Sequence, residues 1–121
     1  MSWVGRSVPR SEDPRLLQGL GSYFADVAVG ALRVRFVRSP IACGILNGIS
    51  KPDERLVFTA ADLADVRPIR PLLHRPDYVA VEQPILATGR LLFVGQPVAA
   101  VLAGSQEAAE DLADQVAIDC E

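Results

Sequence analysis

Apolar and basic side chains alternate along one short segment in the first third of the chain. The segment places Leu32, Val34 and Phe36 at alternate positions, with Arg33 and Arg35 between them. Successive side chains of a β-strand point to opposite faces, so this period predicts a half-buried strand. We expect its apolar face to point toward the core and its arginines toward solvent.

Further strands are predicted from apolar runs. Two continuous runs, residues 91–94 and 97–103, flank the dipeptide Gly95-Gln96, and this pattern predicts two buried strands that meet at a tight turn. We expect these two strands to form the centre of the core. Weaker strand signals cover residues 43–49, 56–58 and 117–120.

Two short helices are predicted from capping signals. Thr59 stands three residues before Asp62, which is the spacing of a capping box, and Pro68 limits the following helix to one or two turns. Ser105 is expected to cap a second helix that extends to about Val116. The apolar face of this helix is predicted to consist of Ala108, Leu112 and Val116.

Two segments have compositions that disfavour regular structure. Residues 1–22 combine glycines, prolines and charges and are expected to form an extended arm, while residues 23–121 form the domain itself. Residues 66–84 contain prolines at positions 68, 71, 76 and 84. So many prolines exclude a central strand and predict a long surface loop, and loops of that length usually bind or cover something.

Composition and charge narrow the classes of function. The chain has 121 residues, of which 50% are hydrophobic, and a formal net charge of -3. These values are typical of one folded domain and disfavour a nucleic-acid partner. No apolar run is long enough for a secretory signal or a membrane span, so a cytoplasmic protein without a membrane partner is expected. Cys43 and Cys120 are expected to be buried and reduced.

No catalytic or metal-binding set can be assembled from the residues. His74 is the only histidine, so a zinc set or a Ser-His-Asp triad is excluded unless a partner contributes, and His74 is expected in a surface loop. Gly19-Leu-Gly21 lacks the third glycine of a dinucleotide fingerprint and is interpreted as a turn. We therefore expect no catalytic, cofactor-binding or metal-ligating residue in this chain.

Several short phrases occur in an order that is more specific than any one of them. The first half contains Val4-Gly-Arg6, Arg10-Ser-Glu12-Asp13-Pro-Arg15, Gly19-Leu-Gly21-Ser-Tyr23 and Phe36-Val37-Arg38-Ser39-Pro40. The second half contains Phe58-Thr59-Ala60-Ala61-Asp62-Leu63, Phe93-Val94-Gly95-Gln96-Pro97-Val98 and Val116-Ala-Ile-Asp119-Cys-Glu121. In this order the phrases resemble the start of the large molybdenum subunit in the family of xanthine dehydrogenase, aldehyde oxidase and aerobic carbon monoxide dehydrogenase.

The resemblance implies an α+β fold, the α/β hammerhead, with a barrel-like mixed sheet and two short helices. It implies a parent oxidoreductase that uses a molybdenum-pterin cofactor, with iron-sulfur clusters and FAD on other domains or subunits. The expected partners are the cofactor-binding remainder of the molybdenum subunit and the iron-sulfur and FAD subunits or domains. A homo-oligomer is a further expected form of the assembly. In this chain the implied role is structural, and the phrases Arg38-Ser39-Pro40 and Gly95-Gln96-Pro97 are the candidate domain-docking residues.

The sequence also departs from the family. Where the family commonly has a histidine-containing stretch after Ser-Pro, this chain has Ile41-Ala42-Cys43-Gly44, which indicates a divergent branch and leaves the substrate open. The chain ends at Glu121 within a predicted strand, so we expect an excised piece with exposed apolar surface near residues 98–102 or in the loop at 66–84.

Two alternatives remain open from the sequence. One is a free-standing barrel-sandwich-like interaction or carrier module, which would present Lys51, the only lysine, at a hairpin tip. The other is a degenerate chain without current function.

Overall fold

The computed structural model describes residues 3–23, 26, 30–73 and 75–121 of the chain. The prediction for His74 lies outside these residues. The chain divides into two compact units, Met1–Ala31 and Leu32–Glu121.

The first unit contains helix α1, Asp13–Leu17. Proline occupies its first turn, where a missing backbone N–H costs no helical hydrogen bond, and Asp13 lies at the positive end of the helix dipole. The helix is followed by Gly19 at a φ of 69°, and the backbone N–H of Leu20 donates to the carbonyl of Arg15. Gly19 therefore lies in the turn that ends α1, and the described part of the arm predicted over residues 1–22 contains this short helix.

The second unit is built from short strands and helices, all in the described residues. These are β1 Arg33–Arg38, β2 Gly44–Ile49, β3 Val57–Thr59, a 3-10 helix Ala60–Leu63, β4 Arg90–Leu91, β5 Pro97–Ala103, α2 Gln106–Asp114 and β6 Ile118–Cys120. The strands form two three-stranded sheets, in the orders β1-β5-β3 and β4-β2-β6. Every pairing between these strands is antiparallel.

Strand β5 lies at the centre of the first sheet and supplies the middle of the core. Val98, Ala99 and Val101 are fully buried, as the apolar run at 97–103 predicted. Two buried clusters meet at Ile49, which packs against both of them. One cluster consists of Val57, Ala99, Val101 and Val116. The other consists of Ala87, Leu91 and Val98.

Helix α2 covers one face of the β1-β5-β3 sheet. Ser105 caps it, with its Oγ accepting a hydrogen bond from the backbone N–H of Ala108, which confirms the predicted cap. The buried side chain of the helix is Ala109, with Leu112 and Ala113 packed against the core. The predicted apolar face was therefore wrong by one residue at Ala108, which is exposed.

The orientation predicted for β1 was also wrong. Val37 packs against the core, and the Nη1 of Arg35 lies 4.0 Å from Oε1 of Glu110 on α2, so this side of the strand faces the helix. Val34 is 50% exposed and Phe36 is 42% exposed on the opposite side. The Arg35 side chain stays 53% exposed, as predicted for an arginine of this strand, whereas the apolar side of β1 is left open instead of being buried.

The run at 91–94 does not form the predicted buried strand. Only Leu91 is buried, while Leu92, Phe93 and Val94 are exposed. The strand ends at Leu91 because the chain turns there, with the N–H of Leu92 donating to Oε1 of Gln96 at 2.7 Å. In the run at 98–102, Val98, Ala99 and Val101 are buried, whereas Ala100 and Leu102 are half-buried and line an open hollow.

The segment at 66–84 carries more order than a structureless loop. Ile69 and Gln83 pair in an isolated antiparallel bridge with two backbone hydrogen bonds, and Arg70 Nη2 lies 2.7 Å from Oε1 of Glu82. Beyond this bridge the apolar side chains are exposed, as expected for a surface segment: they include Leu72, Leu73, Val79 and Val81.

The two cysteines are unpaired, as expected, but they differ in burial. Cys120 is half-buried in β6, whereas Cys43 is exposed. The expected burial of Cys43 was therefore wrong, because it lies in the bend that precedes β2.

Candidate functional site

The six candidate docking residues come together where β1 ends and β5 begins, at what we call the β1–β5 junction: Arg38, Ser39, Pro40, Gly95, Gln96 and Pro97. Arg38 pairs with Pro97 across the two strands, next to a register shift after Val37. A register shift of this kind bends the strand and re-aims its side chains. The two phrases, 57 positions apart in the chain, therefore form one structural unit.

Backbone hydrogen bonds hold the junction closed. The N–H of Ser39 donates to the carbonyl of Gln96 at 2.9 Å, and the N–H of Gly95 donates to the carbonyl of Ser39 at 2.8 Å. Gly95 has a φ of 86°, a conformation that a residue with a Cβ adopts only at a cost. Glycine at this position is therefore required by the turn.

The side chains of Ser39 and Gln96 at the junction form their hydrogen bonds within the domain. Ser39 is 3% exposed and its Oγ donates to the carbonyl of Ile41 at 2.8 Å. Gln96 is 4% exposed and accepts from the N–H of Leu92. Buried polar groups need such partners. Ser39 and Gln96 thus shape the junction from inside and do not themselves present a polar surface.

The exposed residues of the junction are Arg38 and Pro40, and the apolar turn at 92–94 directly precedes Gly95. Arg38 Nη1 donates to the carbonyl of Gly95 at 2.9 Å, and its guanidinium carbon lies 5.7 Å from the centroid of the Phe36 ring. Next to it, Leu92 is 59% exposed, Phe93 45% and Val94 64%. Three consecutive exposed apolar side chains on a hydrogen-bonded turn are typical of a contact surface.

Sequence reasoning missed Leu92, Phe93 and Val94 because a continuous apolar run was interpreted as a buried strand. The signal that could have found them is the following Gly95-Gln96. A glycine at positive φ with an adjacent buried amide ends a strand early, so the preceding apolar residues lie on the turn.

Lys51 belongs to a different polar cluster at the start of the 3-10 helix. Its Nζ lies 2.7 Å from Oδ2 of Asp62 and 3.4 Å from Oε2 of Glu54, and its side chain is only 13% exposed. The same Oδ2 accepts from the backbone N–H and the Oγ1 of Thr59, which confirms the predicted capping box. The lysine is thus held in ion pairs, and the carrier alternative, which requires a free lysine at a hairpin tip, is not favoured.

A protein-bound metal ion is usually held by several converging His, Cys, Asp or Glu side chains. Within residues 3–23, 26, 30–73 and 75–121, no three His, Cys, Asp or Glu side chains converge on a point where a metal ion could sit. The junction offers apolar side chains and backbone groups that are already hydrogen bonded to each other. The described side chains therefore supply no set of ligands for a metal ion.

The comparison with known families decides the identity of the domain. The family described as aldehyde oxidase and xanthine dehydrogenase, a/b hammerhead domain, matches residues 18–121. The chain belongs to this family. The predicted recognition and the α/β hammerhead fold are therefore confirmed.

Relatives of this hammerhead domain are parts of much larger chains. The chain is 39% identical to the nicotine 6-hydroxylase large subunit of Paenarthrobacter nicotinovorans over 126 residues, which cover 98% of this chain and 15% of that protein. The solved structure of quinoline 2-oxidoreductase from Pseudomonas putida 86 matches with a TM-score of 0.84 and 38% identity, over 97% of this chain and 16% of that one. The Cu,Mo-CO dehydrogenase structure matches with a TM-score of 0.79 and 32% identity, over 97% of this chain and 15% of that one.

The described helices of this chain are short. None of the helices in its described part has both the length and the apolar character needed to cross a bilayer.

Proposed function

We propose that this chain is the hammerhead domain of a molybdenum-dependent oxidoreductase, located in the large subunit of a cytoplasmic enzyme, and that its role is structural. The observation that carries the proposal is the match of almost the entire chain to about one-seventh of the large subunit of nicotine 6-hydroxylase. The molybdenum-pterin group would be bound by the remainder of that subunit, with iron-sulfur clusters and FAD on other domains or subunits.

The structural role is supported by the hydrogen bonds and ion pairs that the polar side chains form within the domain. The side chains of Ser39 and Gln96 satisfy their hydrogen bonds internally, and the Lys51 and Asp62 charges satisfy each other. Besides Arg38 and Pro40, the outward surface next to the β1–β5 junction is the apolar turn at 92–94. Apolar surface that is held rigidly by hydrogen bonds suits a packing contact more than chemistry.

We assign docking to the β1–β5 junction. Arg38 supports the turn by its hydrogen bond to Gly95 and covers the Phe36 ring, so Phe93 and its neighbours are presented in one fixed arrangement. A pre-arranged apolar turn binds without a large loss of conformational entropy. The proposed partner is the cofactor-binding remainder of the large subunit.

A domain exchange tests the proposed function. The segment of the nicotine 6-hydroxylase large subunit that aligns with this chain is replaced by this chain, and the large subunit is purified from a host that supplies molybdenum cofactor. We expect an assembled subunit that contains molybdenum. The control is the same subunit in which its own segment has been reinserted at the same two boundaries. If the control binds molybdenum and the exchanged subunit aggregates, the proposal is overturned.

The docking assignment is tested in the same exchanged subunit with Phe93→Glu. Phe93 is half-exposed on a turn, so the isolated domain is expected to keep its melting temperature while the assembled fraction of the subunit falls. The matched control is Ala117→Glu, an exposed position between α2 and β6. Equal assembly of both variants would show that the junction does not dock.

A further inference from the structure

The face of the β1-β5-β3 sheet opposite α2 is apolar and open. Val34 of β1 lies opposite Leu102 of β5, and Phe36 of β1 and Phe58 of β3 both lie opposite Ala100. Side chains of directly paired residues share one face of a sheet. The strand order therefore places two phenylalanines on either side of one alanine.

A hollow lies over Ala100 because the alanine is much smaller than its neighbours. It has a volume of about 270 Å³ and is walled by Phe36 and Phe58, with Leu63, Ile85 and Leu86 at one end. A second hollow of about 280 Å³ shares those three end residues and continues toward Pro68. All of the side chains around the first hollow are apolar, so water in it finds no side-chain partner.

The distribution of charged and apolar residues on β1 differs from that of an ordinary solvent-exposed sheet face. Arg33 and Arg35, two of the three arginines of β1, lie on the α2 side, where Nη1 of Arg35 is 4.0 Å from Oε1 of Glu110. The apolar residues Val34 and Phe36 remain half-exposed on the other side. A soluble domain normally places its residues the other way round, so an inverted strand indicates a face that is covered in the working protein.

We propose that this face is a second docking surface, and that the remainder of the large subunit covers it by inserting a large apolar side chain over Ala100. The inference rests on the proposed function. Permanent interfaces are more apolar than exchangeable ones and resemble a domain core cut in half, which is the character of this face. Because the match spans only 15% of the nicotine 6-hydroxylase large subunit, most of that chain lies outside the hammerhead domain and is available as a permanent partner.

The geometry also connects this face to the β1–β5 junction. Phe36 belongs to the wall of the hollow, and its ring lies under the Arg38 guanidinium of the junction. The two surfaces are therefore neighbours on β1, and one large partner can cover both. A small exchangeable partner would have to meet two differently oriented surfaces at once.

Filling the hollow tests the proposal. In the exchanged large subunit described above, Ala100→Leu is expected to lower the assembled, molybdenum-containing fraction by about tenfold or more, since a lost anchor contact costs at least one decade in affinity. The matched control is Ala108→Leu, the same change at an exposed position of α2. The isolated domain with Ala100→Leu is expected to melt no lower than the parent, because leucine only adds apolar volume to an open hollow.

Each outcome has a distinct meaning. An exchanged subunit that assembles equally well with Ala100→Leu and Ala108→Leu would overturn this surface and leave the proposed function intact. An exchanged subunit that fails even without substitutions, beside an assembled control, would overturn both. If Ala100→Leu unfolds the isolated domain, Phe36→Ser replaces it as the test variant, because it opens the wall of the hollow instead of filling it. The assembled fraction of the exchanged subunit is again compared with that of the Ala108→Leu control. A dimer of the isolated domain that Ala100→Leu dissociates would show a second copy on this face and overturn the proposal.

Discussion

Asp62 accepts three hydrogen bonds through one carboxylate oxygen, Oδ2. The hydrogen bond from Lys51 and the bonds from the backbone and side chain of Thr59 lower the pKa of the Asp62 carboxyl from 3.8 to about 2. The same contact raises the pKa of Lys51. The pair fixes the loop after β2 to the start of the 3-10 helix.

The lowered pKa of Asp62 predicts a pH dependence of stability. A carboxyl whose pKa is lower in the folded state stabilises the fold above pH 3.8, and this contribution is lost as the pH falls toward about 2. We expect Asp62→Asn to unfold at lower urea concentration than the parent at neutral pH, and the difference to shrink below about pH 4. Urea unfolding at several pH values measures it, with Asp65→Asn as control. A difference that does not change with pH would contradict the ion pair.

Gly95 is the residue on which the turn of the β1–β5 junction depends. Its φ of 86° lies in the left-handed region, so Gly95→Ala is expected to lower the free energy of unfolding by about 1–2 kcal/mol. Gly104 has no neighbouring atom within 4 Å of an added Cβ and no positive φ, and Gly104→Ala is expected to change it by less than about 0.5 kcal/mol. Chemical denaturation measures the free energy of unfolding of both variants. Equal losses for Gly95→Ala and Gly104→Ala would contradict the backbone strain assigned to position 95.

Strand β2 contains two glycines with different surroundings. A Cβ at Gly44 would meet the carbonyl oxygen of Glu121 and Cδ1 of Ile41, whereas a Cβ at Gly48 meets nothing within 4 Å. The close approach at Gly44 belongs to the pairing of the strand with the end of the chain, where the N–H of Ile45 donates to the carbonyl of Glu121 at 2.6 Å.

The two glycines of β2 predict opposite effects of the same substitution. Gly44→Ala is expected to destabilise the domain by about 1–3 kcal/mol, the usual cost of overpacking. Gly48→Ala is expected to be neutral or to stabilise by up to about 1 kcal/mol, since alanine restricts the unfolded chain. Thermal unfolding compares them, and a larger loss for Gly48→Ala would show that the last strand is not paired as described.

The cap of helix α2 gives a further prediction. Ser105→Ala removes the acceptor for the N–H of Ala108 and is expected to cost about 1 kcal/mol, whereas Ser105→Asp retains a capping oxygen and most of the stability. Circular dichroism during denaturation measures both. Equal losses for the two variants would mean that the side-chain bond does not stabilise the helix.

At the scale of elements, the sequence predicted what depends on local signals. The strand at 97–103, the capping box at Thr59 and the cap at Ser105 were correct because each depends on neighbours within a few residues. The burial of 91–94 and the inward face of β1 were wrong, since both assume that apolar residues are buried within the chain. Burial against another domain leaves the same apolar pattern, and a single chain does not distinguish the two.

At the scale of the whole molecule, these two errors point to one property. Phe93 and its neighbours at the β1–β5 junction and Phe36 on the open sheet face are apolar, exposed and adjacent on the same part of the hammerhead domain. The candidate residues Arg38, Ser39, Gly95 and Gln96 lie together in the structure, next to the exposed apolar turn at 92–94, and their docking role stays a prediction. The proposal that another part of a larger chain covers this surface agrees with relatives in which the matching segment forms 15–16% of the chain.

The central claim is that the hammerhead domain works as part of a molybdenum-dependent large subunit. The most direct test is to capture the native protein from its source cells with an antibody against these 121 residues, and to measure the length of the captured polypeptide and its molybdenum content. The account predicts a polypeptide six to seven times as long, because the match spans 15% of the nicotine 6-hydroxylase large subunit, with molybdenum in the complex. A polypeptide of 13.0 kDa that carries no molybdenum-containing partner would contradict it.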